Sequence, residues 1–184
     1  MKNLPAKLLS LVLGPVKSGK SEWAELLATS TGKPVTYVAT AELAPEDQEW
    51  QARIERHRQR RPANWITIEV PKKLPTTILT ASAGSCLLVD SLGNWVANLL
   101  DLDDATWERV QQDFLQGLQQ TTADVILVAE ETGWGVVPAY PLGRIFRERL
   151  GNLVRFTGTL ANPVYLVTGG HVLNLSVLGQ PLPF

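Results

Sequence analysis

The run Gly14-Pro15-Val16-Lys17-Ser18-Gly19-Lys20-Ser21 has the residue types and spacing of a phosphate-binding loop, G-x-x-x-x-G-K-S. Its glycines let the backbone curl until successive N–H groups and a helix N-terminus point at phosphate oxygens. The lysine then reaches the β- and γ-phosphates, and the serine offers a hydroxyl to Mg²⁺. The chemistry expected here is binding of a nucleoside triphosphate, with Lys20 as its catalytic cation. A plain Gly/Ser turn before a helix is the competing reading, but it does not call for apolar residues before the loop and a helical run after it, and both are present. A second chemical feature is Cys86-Leu87-Leu88-Val89-Asp90, an apolar run that ends in an acid. In phosphate-loop enzymes such a carboxylate holds Mg²⁺ or its water, so Ser21 and Asp90 form the expected metal pair. Asp90 also stands where an aspartate caps the next helix, and the phosphate loop tips the choice towards the metal.

A third feature is Arg53-Ile54-Glu55-Arg56-His57-Arg58-Gln59-Arg60-Arg61, in which one of two histidines lies among five arginines. On a helix Arg53 and His57 share a face, as do Arg56 and Arg60. Neighbouring guanidiniums disfavour the protonated imidazole and attract phosphate, and a neutral imidazole is a nucleophile. Taken alone, the same segment reads as a solvated basic helix, the usual meaning of a charge run.

The elements needed to position these groups alternate along the chain, the pattern of a mostly parallel α/β sheet flanked by helices. Strands are expected at Lys7–Leu13, Val35–Ala39, Ile66–Val70, Cys86–Asp90, Val125–Ala129 and Val164–Thr168. Helices are expected at Glu22–Thr29, Glu46–Arg60, Leu92–Leu100, Thr106–Gln120 and Leu142–Leu153, with Pro71–Pro75 and Pro138–Pro141 as loops. The tail from Leu173 to Phe184 carries little pattern, and a frayed or partner-docked end is expected. Glu130 and Glu131 close the strand Val125–Ala129 at the edge where open α/β sheets bind ligands. Adjacent strand residues point to opposite faces, so one of the two acids is expected to reach a substrate, and Glu131 is preferred. Trp134, between two glycines, is the aromatic best placed to face that substrate.

With 184 residues, 45% of them hydrophobic, the chain fits a single phosphate-loop domain able to bury a substantial core. A net charge of −1 argues against a general nucleic-acid-binding surface. Cys86 is the sole cysteine, so no intrachain disulfide forms and a reducing compartment, the cytoplasm, is expected. No apolar stretch approaches the roughly 18 residues of a membrane span.

The ordered set of motifs resembles the bifunctional adenosylcobinamide kinase / adenosylcobinamide-phosphate guanylyltransferase family of cobalamin biosynthesis. The resemblance runs through Gly14–Ser21, Tyr37-Val38-Ala39-Thr40, Arg53-Ile54-x-x-His57-x-x-x-Arg61-Pro62, and Asp90 with Trp95 and Asn98-Leu99-Leu100 beyond it. It continues through Glu131-x-Gly133-x-Gly135-Val136-Val137-Pro138, Leu142 and Arg144-x-Phe146-Arg147. The resemblance implies that His57 attacks the α-phosphate of GTP, releases pyrophosphate and carries GMP as a phosphoramidate. It implies nucleotide contacts at Gly14–Ser21, at Thr40, Ala41 and Glu42, at Arg58, Gln59, Arg60 and Arg61, and at Glu69 and Asp90. It further implies Mg²⁺, GTP and ATP as substrates, a corrinoid as acceptor, and a homotrimer with nucleotide sites near subunit contacts. The chain departs from the usual family pattern at Lys17, Ser91, Glu130 and Val154-Arg155, and after Gly169.

Overall fold

The computed structural model describes residues 7–42 and 61–183. Its elements in chain order are β1 Leu9–Gly14, α1 Lys20–Ser30, β2 Val35–Ala39, β3 Ile66–Glu69, α2 Leu74–Leu79, β4 Cys86–Asp90 and α3 Leu92–Ala97. There follow α4 Asp104–Gln120, β5 Asp124–Glu130, α5 Pro141–Leu160, β6 Val164–Thr168, β7 His171–Asn174 and α6 Leu175–Leu178. The strands form one sheet in the order β3-β2-β4-β5-β1-β6-β7, parallel throughout except for the β6–β7 pair. β5 therefore lies between the strand that enters the phosphate loop and the strand that ends in Asp90.

The central strands are apolar on both faces because both faces are covered, as parallel sheets require. Side chains alternate along β1: Leu9, Leu11 and Leu13 pack on one side with Phe114, Leu118, Leu150 and Leu153 from α4 and α5. Val12 turns to the other side, where Ala24 and Ala28 of α1 meet Tyr37, Leu88, Ile126, Val128 and Val167. Two alanines on the inner face let α1 lie close to the sheet, which brings its N-terminus to the strand ends. Cys86 packs fully buried in this second cluster, and burial pushes its thiol up to about 12, in keeping with a packing role.

A buried arginine fixes the far side. Arg149 of α5 donates to the carbonyls of Leu99 at 3.0 Å and Leu102 at 2.7 Å, and to Asp104 Oδ1 at 3.1 Å, so α5 holds the turn between α3 and α4.

The strand expectations hold to within two residues. Four helical or terminal segments differ, the first being α3, which stops at Ala97 with Asn98 as its C-cap, short of the expected end at Leu100. α5 continues to Leu160, beyond the expected end at Leu153, because burial of Thr157 and packing of Leu160 outweigh the weak helix propensity of Thr157 and Gly158. The Pro71–Pro75 stretch is only partly loop: α2 begins at Leu74 with Pro75 in its first turn, where a missing N–H costs nothing. The tail is not frayed at its start, since β7 pairs with β6 and α6 follows it. Ser176 Oγ accepts the Val164 N–H at 2.9 Å, tying that helix to the sheet. The expected helix Glu46–Arg60 lies outside the described residues, and no described helix is long and apolar enough to cross a membrane.

Candidate active site

The phosphate loop leaves β1 at Gly14 and enters α1 at Lys20, as the motif requires. A Cβ on Gly14 would fall on the Ser18 hydroxyl and 2.5 Å from the Val167 carbonyl oxygen, so only glycine allows this approach. Gly19 has φ 94° and Lys17 φ 59°, and these two left-handed residues turn the loop inward. Lys20 is 6% exposed and its ammonium donates to the Pro15 carbonyl at 3.3 Å, so its charge lies inside the loop. The Ser18 hydroxyl is buried without a hydrogen-bond partner among the described residues, a polar atom left over in the cradle.

The opposite wall is the end of β4. Asp90 Oδ2 accepts the Tyr37 hydroxyl at 2.9 Å. Burial, and then the Asp90 carboxylate, drive the Tyr37 phenol well above its ordinary range, so it stays protonated and donates. The Arg61 guanidinium stacks over the Tyr37 ring, 3.3 Å from its centre. Arg61 Nε is buried and has no partner among the described residues, which leaves a donor for an anion. One step on, Thr40 Oγ1 donates to the Ser91 carbonyl at 2.6 Å and accepts the Ser91 N–H at 2.8 Å, locking the ends of β2 and β4 together. Asn98 Nδ2 holds the Thr40 carbonyl at 2.7 Å and that of Pro71 at 3.0 Å, so the chain from Thr40 through Ala41 to Glu42 leaves the sheet on a fixed course. Glu42 meets Lys72 at 3.4 Å in an exposed pair that contributes little stability.

Strand register places the other acids. Ala39 lies beside both Asp90 and Glu69, and Gly14 beside Glu130. Glu130 turns one carboxylate oxygen to the Gly93 N–H at 3.1 Å, whereas Glu131 donates its backbone N–H to the Gly14 carbonyl at 3.0 Å. Arg144 donates to the carbonyls of Pro138 and Ala139, and Arg147 to those of Gly133 and Gly135, so α5 pins the loop that carries Trp134. Trp134 itself is 69% exposed. Gly14–Ser21, Thr40–Glu42, Glu69, Asp90, Glu130 and Glu131 thus share the C-terminal edge of the sheet, and Arg61 reaches that edge through Tyr37. His57, Arg58, Gln59 and Arg60 lie outside the described residues.

Motif spacing assigns no role to Tyr37, Asn98 or Gly93, although the first two lie in motif segments. Tyr37 had one usable signal, its position two residues before a strand end and so on the same face as that end. Gly93 carries a testable consequence. A Cβ there would overlap the Glu130 carboxylate, with the carboxyl carbon 2.8 Å away. Gly93→Ala should destabilise the fold by about 1–3 kcal/mol in urea unfolding, and Glu130→Ala in the same chain should recover most of that loss. An equal loss in both backgrounds would mean that the strain lies elsewhere.

A buried lysine inside a glycine loop, a carboxylate on a nearby strand end and a parallel sheet covered on both faces define a phosphate-loop α/β nucleotide-binding domain. The chain belongs to the cobinamide kinase / cobinamide phosphate guanyltransferase family, whose model matches residues 10–175. It is similar to the bifunctional adenosylcobalamin biosynthesis protein CobP of Pseudomonas aeruginosa, 40% identical over 94% of this chain and 98% of that one. The corresponding protein CobU of Escherichia coli is 34% identical over 89% of this chain and 97% of its own. Among solved structures, the flagellar accessory protein FlaH of Methanocaldococcus jannaschii aligns over 92% of this chain and 76% of its own, at 16% identity and a TM-score of 0.48.

Proposed function

We propose that this chain carries out two successive reactions on one corrinoid arm. In the first, a triphosphate seated on Gly14–Ser21 gives its γ-phosphoryl group to the aminopropanol hydroxyl of adenosylcobinamide. In the second, His57 attacks the α-phosphate of GTP, pyrophosphate leaves, and GMP passes from the imidazole to the new phosphate to give adenosylcobinamide-GDP. The observation that carries the reading is the phosphate loop facing Asp90 across one inserted strand, in a chain of this family.

Each residue has a separate task. Lys20 neutralises charge on the transferred phosphoryl group, and the loop N–H groups hold its oxygens. Ser21 and Asp90 supply hard oxygen donors of the kind Mg²⁺ takes alongside substrate phosphates, so the donor set fits that ion. Mg²⁺ held there would screen the triphosphate. Thr40, Ala41, Glu42, Glu69 and the arginines Arg58, Arg60 and Arg61, with Gln59, line the guanine-nucleotide path in this reading, while Glu131 and Trp134 meet the corrinoid. Assembly as a homotrimer and residence in the cytoplasm complete the reading.

Its test is product identity. Purified protein incubated with adenosylcobinamide, Mg²⁺ and either ATP or GTP should yield a phosphorylated corrinoid, and with GTP a second product heavier by one GMP, with one pyrophosphate released per GMP transferred. A phosphorylated corrinoid without the GMP adduct would leave a kinase alone. No corrinoid product with either nucleotide would overturn the reading.

A further inference from the structure

Two features of the site are left unexplained by phosphate binding. Tyr37 is 3% exposed, yet it is the one tyrosine in the buried core, and its hydroxyl goes to Asp90 rather than to a backbone group. The cation stacked on its ring belongs to Arg61, the last residue of the basic segment that holds His57. The geometry points to Tyr37 as a positioning residue for the metal-binding carboxylate, one that also couples the orientation of Asp90 to the docking of Arg61.

The placement follows from the register. β2 and β4 run parallel with Tyr37 beside Leu88 and Ala39 beside Asp90, so Tyr37 and Asp90 occupy the same face two residues apart along the strands. A tyrosine is long enough to span that diagonal, and the small side chain of Ala39 does not block it. A phenol is also suited to the task chemically. It donates one directed hydrogen bond to Oδ2, which orients the carboxylate, and it brings no positive charge of its own to the site. An arginine or lysine in the same place would cancel the carboxylate's charge. The aromatic face then gives Arg61 a seat that needs no carboxylate partner, keeping its buried Nε donor for an anion. Partners that orient a metal-binding carboxylate typically change metal affinity roughly 10- to 100-fold when removed.

This inference rests on the reading of Asp90 as a metal carboxylate, and the experiment separates the two. Mn²⁺ binding is followed by its electron paramagnetic resonance signal in the presence of GDP, alongside GDP affinity measured in EDTA, for wild type, Tyr37→Phe, Asp90→Asn and the double variant. Phenylalanine keeps the ring under Arg61 and removes only the hydroxyl. Tyr37→Phe should weaken Mn²⁺ binding about tenfold, leave GDP affinity in EDTA unchanged, and have no further effect in the Asp90→Asn background. If Asp90→Asn weakens Mn²⁺ binding and Tyr37→Phe does not, or if the two losses add, Tyr37 is only a core residue and the inference fails. If Asp90→Asn leaves Mn²⁺ binding at the wild-type level, the metal reading of Asp90 fails and this inference with it. A fall in GDP affinity in EDTA that matches the fall in Mn²⁺ affinity would also overturn it, because the hydroxyl would then serve the loop and not the carboxylate.

Discussion

Lys20→Met is expected to give a folded protein at least as stable as wild type that has lost corrinoid phosphorylation. Lys20 is 6% exposed, and among the described residues its ammonium has a single carbonyl partner at 3.3 Å and no carboxylate in ion-pairing range. Holding a charge in that setting opposes folding, since a buried cation needs pairing and hydrogen bonds to offset the water it gave up. Methionine fills nearly the same volume without the charge, so urea unfolding should show no loss and a gain of up to about 1–2 kcal/mol. The reaction has the opposite requirement. Negative charge on the β- and γ-phosphate oxygens must be met as the bond to the leaving oxygen breaks, and a preorganised cation does this without rearrangement. Losing one such group costs about 10²- to 10³-fold in rate. Chromatographic measurement of phosphorylated cobinamide at saturating nucleotide, next to the unfolding curve, gives both numbers from one preparation. A variant that phosphorylates at the wild-type rate would remove Lys20 from the mechanism. One that unfolds would show the lysine to be structural.

The opposing pulls on Lys20 mark where sequence reading succeeds. The phosphate loop was legible because its chemistry is carried by residue types at fixed spacing and its position by the apolar run Leu11-Val12-Leu13, which a strand buried on both faces must have. Val125–Ala129 and Cys86–Asp90 were legible for the same reason. Contacts that depend on strand order were not. Nothing local says that β2 lies beside β4, and without that adjacency Tyr37 has no route to Asp90. Strand alternation favours Glu131 over Glu130, and Glu130 has a partner in Gly93 only because β5 is inserted next to β4. The start of the tail does carry a signal in the sequence. Gly169 and Gly170, with φ 57° and 74°, form a two-residue turn between Thr168 and its partner His171, the geometry of a tight hairpin. β7 itself is half-polar and largely exposed, so it lacks the apolar run by which the central strands were found.

The sharpest expected result concerns His57, the proposed nucleophile that would separate two-step chemistry from an ordinary phosphate-loop kinase. Incubation with GTP labelled at the α-phosphorus should leave label on the protein, whereas γ-labelled GTP should leave none by this route, because the bond that breaks lies between the α- and β-phosphorus atoms and the β,γ pair departs as pyrophosphate. Added pyrophosphate should strip the label by running the same step backwards. The protein-bound species should behave as a phosphoramidate: stable in base, where a serine or threonine ester would be lost by elimination, and labile in mild acid, where protonation of the ring makes imidazole a good leaving group. His57→Asn keeps a polar side chain of similar width but has no nucleophilic ring nitrogen, so it should lose labelling and GMP transfer entirely while phosphorylation of the corrinoid continues within a few-fold. That separation follows from the proposed path of the atoms, in which the γ-phosphoryl group passes from Gly14–Ser21 to the acceptor hydroxyl without a bond to the imidazole. Acid-labile, pyrophosphate-reversible label on His57→Asn would put the nucleophile elsewhere in the chain. Loss of both activities in a well-folded variant would assign His57, with the arginines around it, to holding phosphate in both reactions.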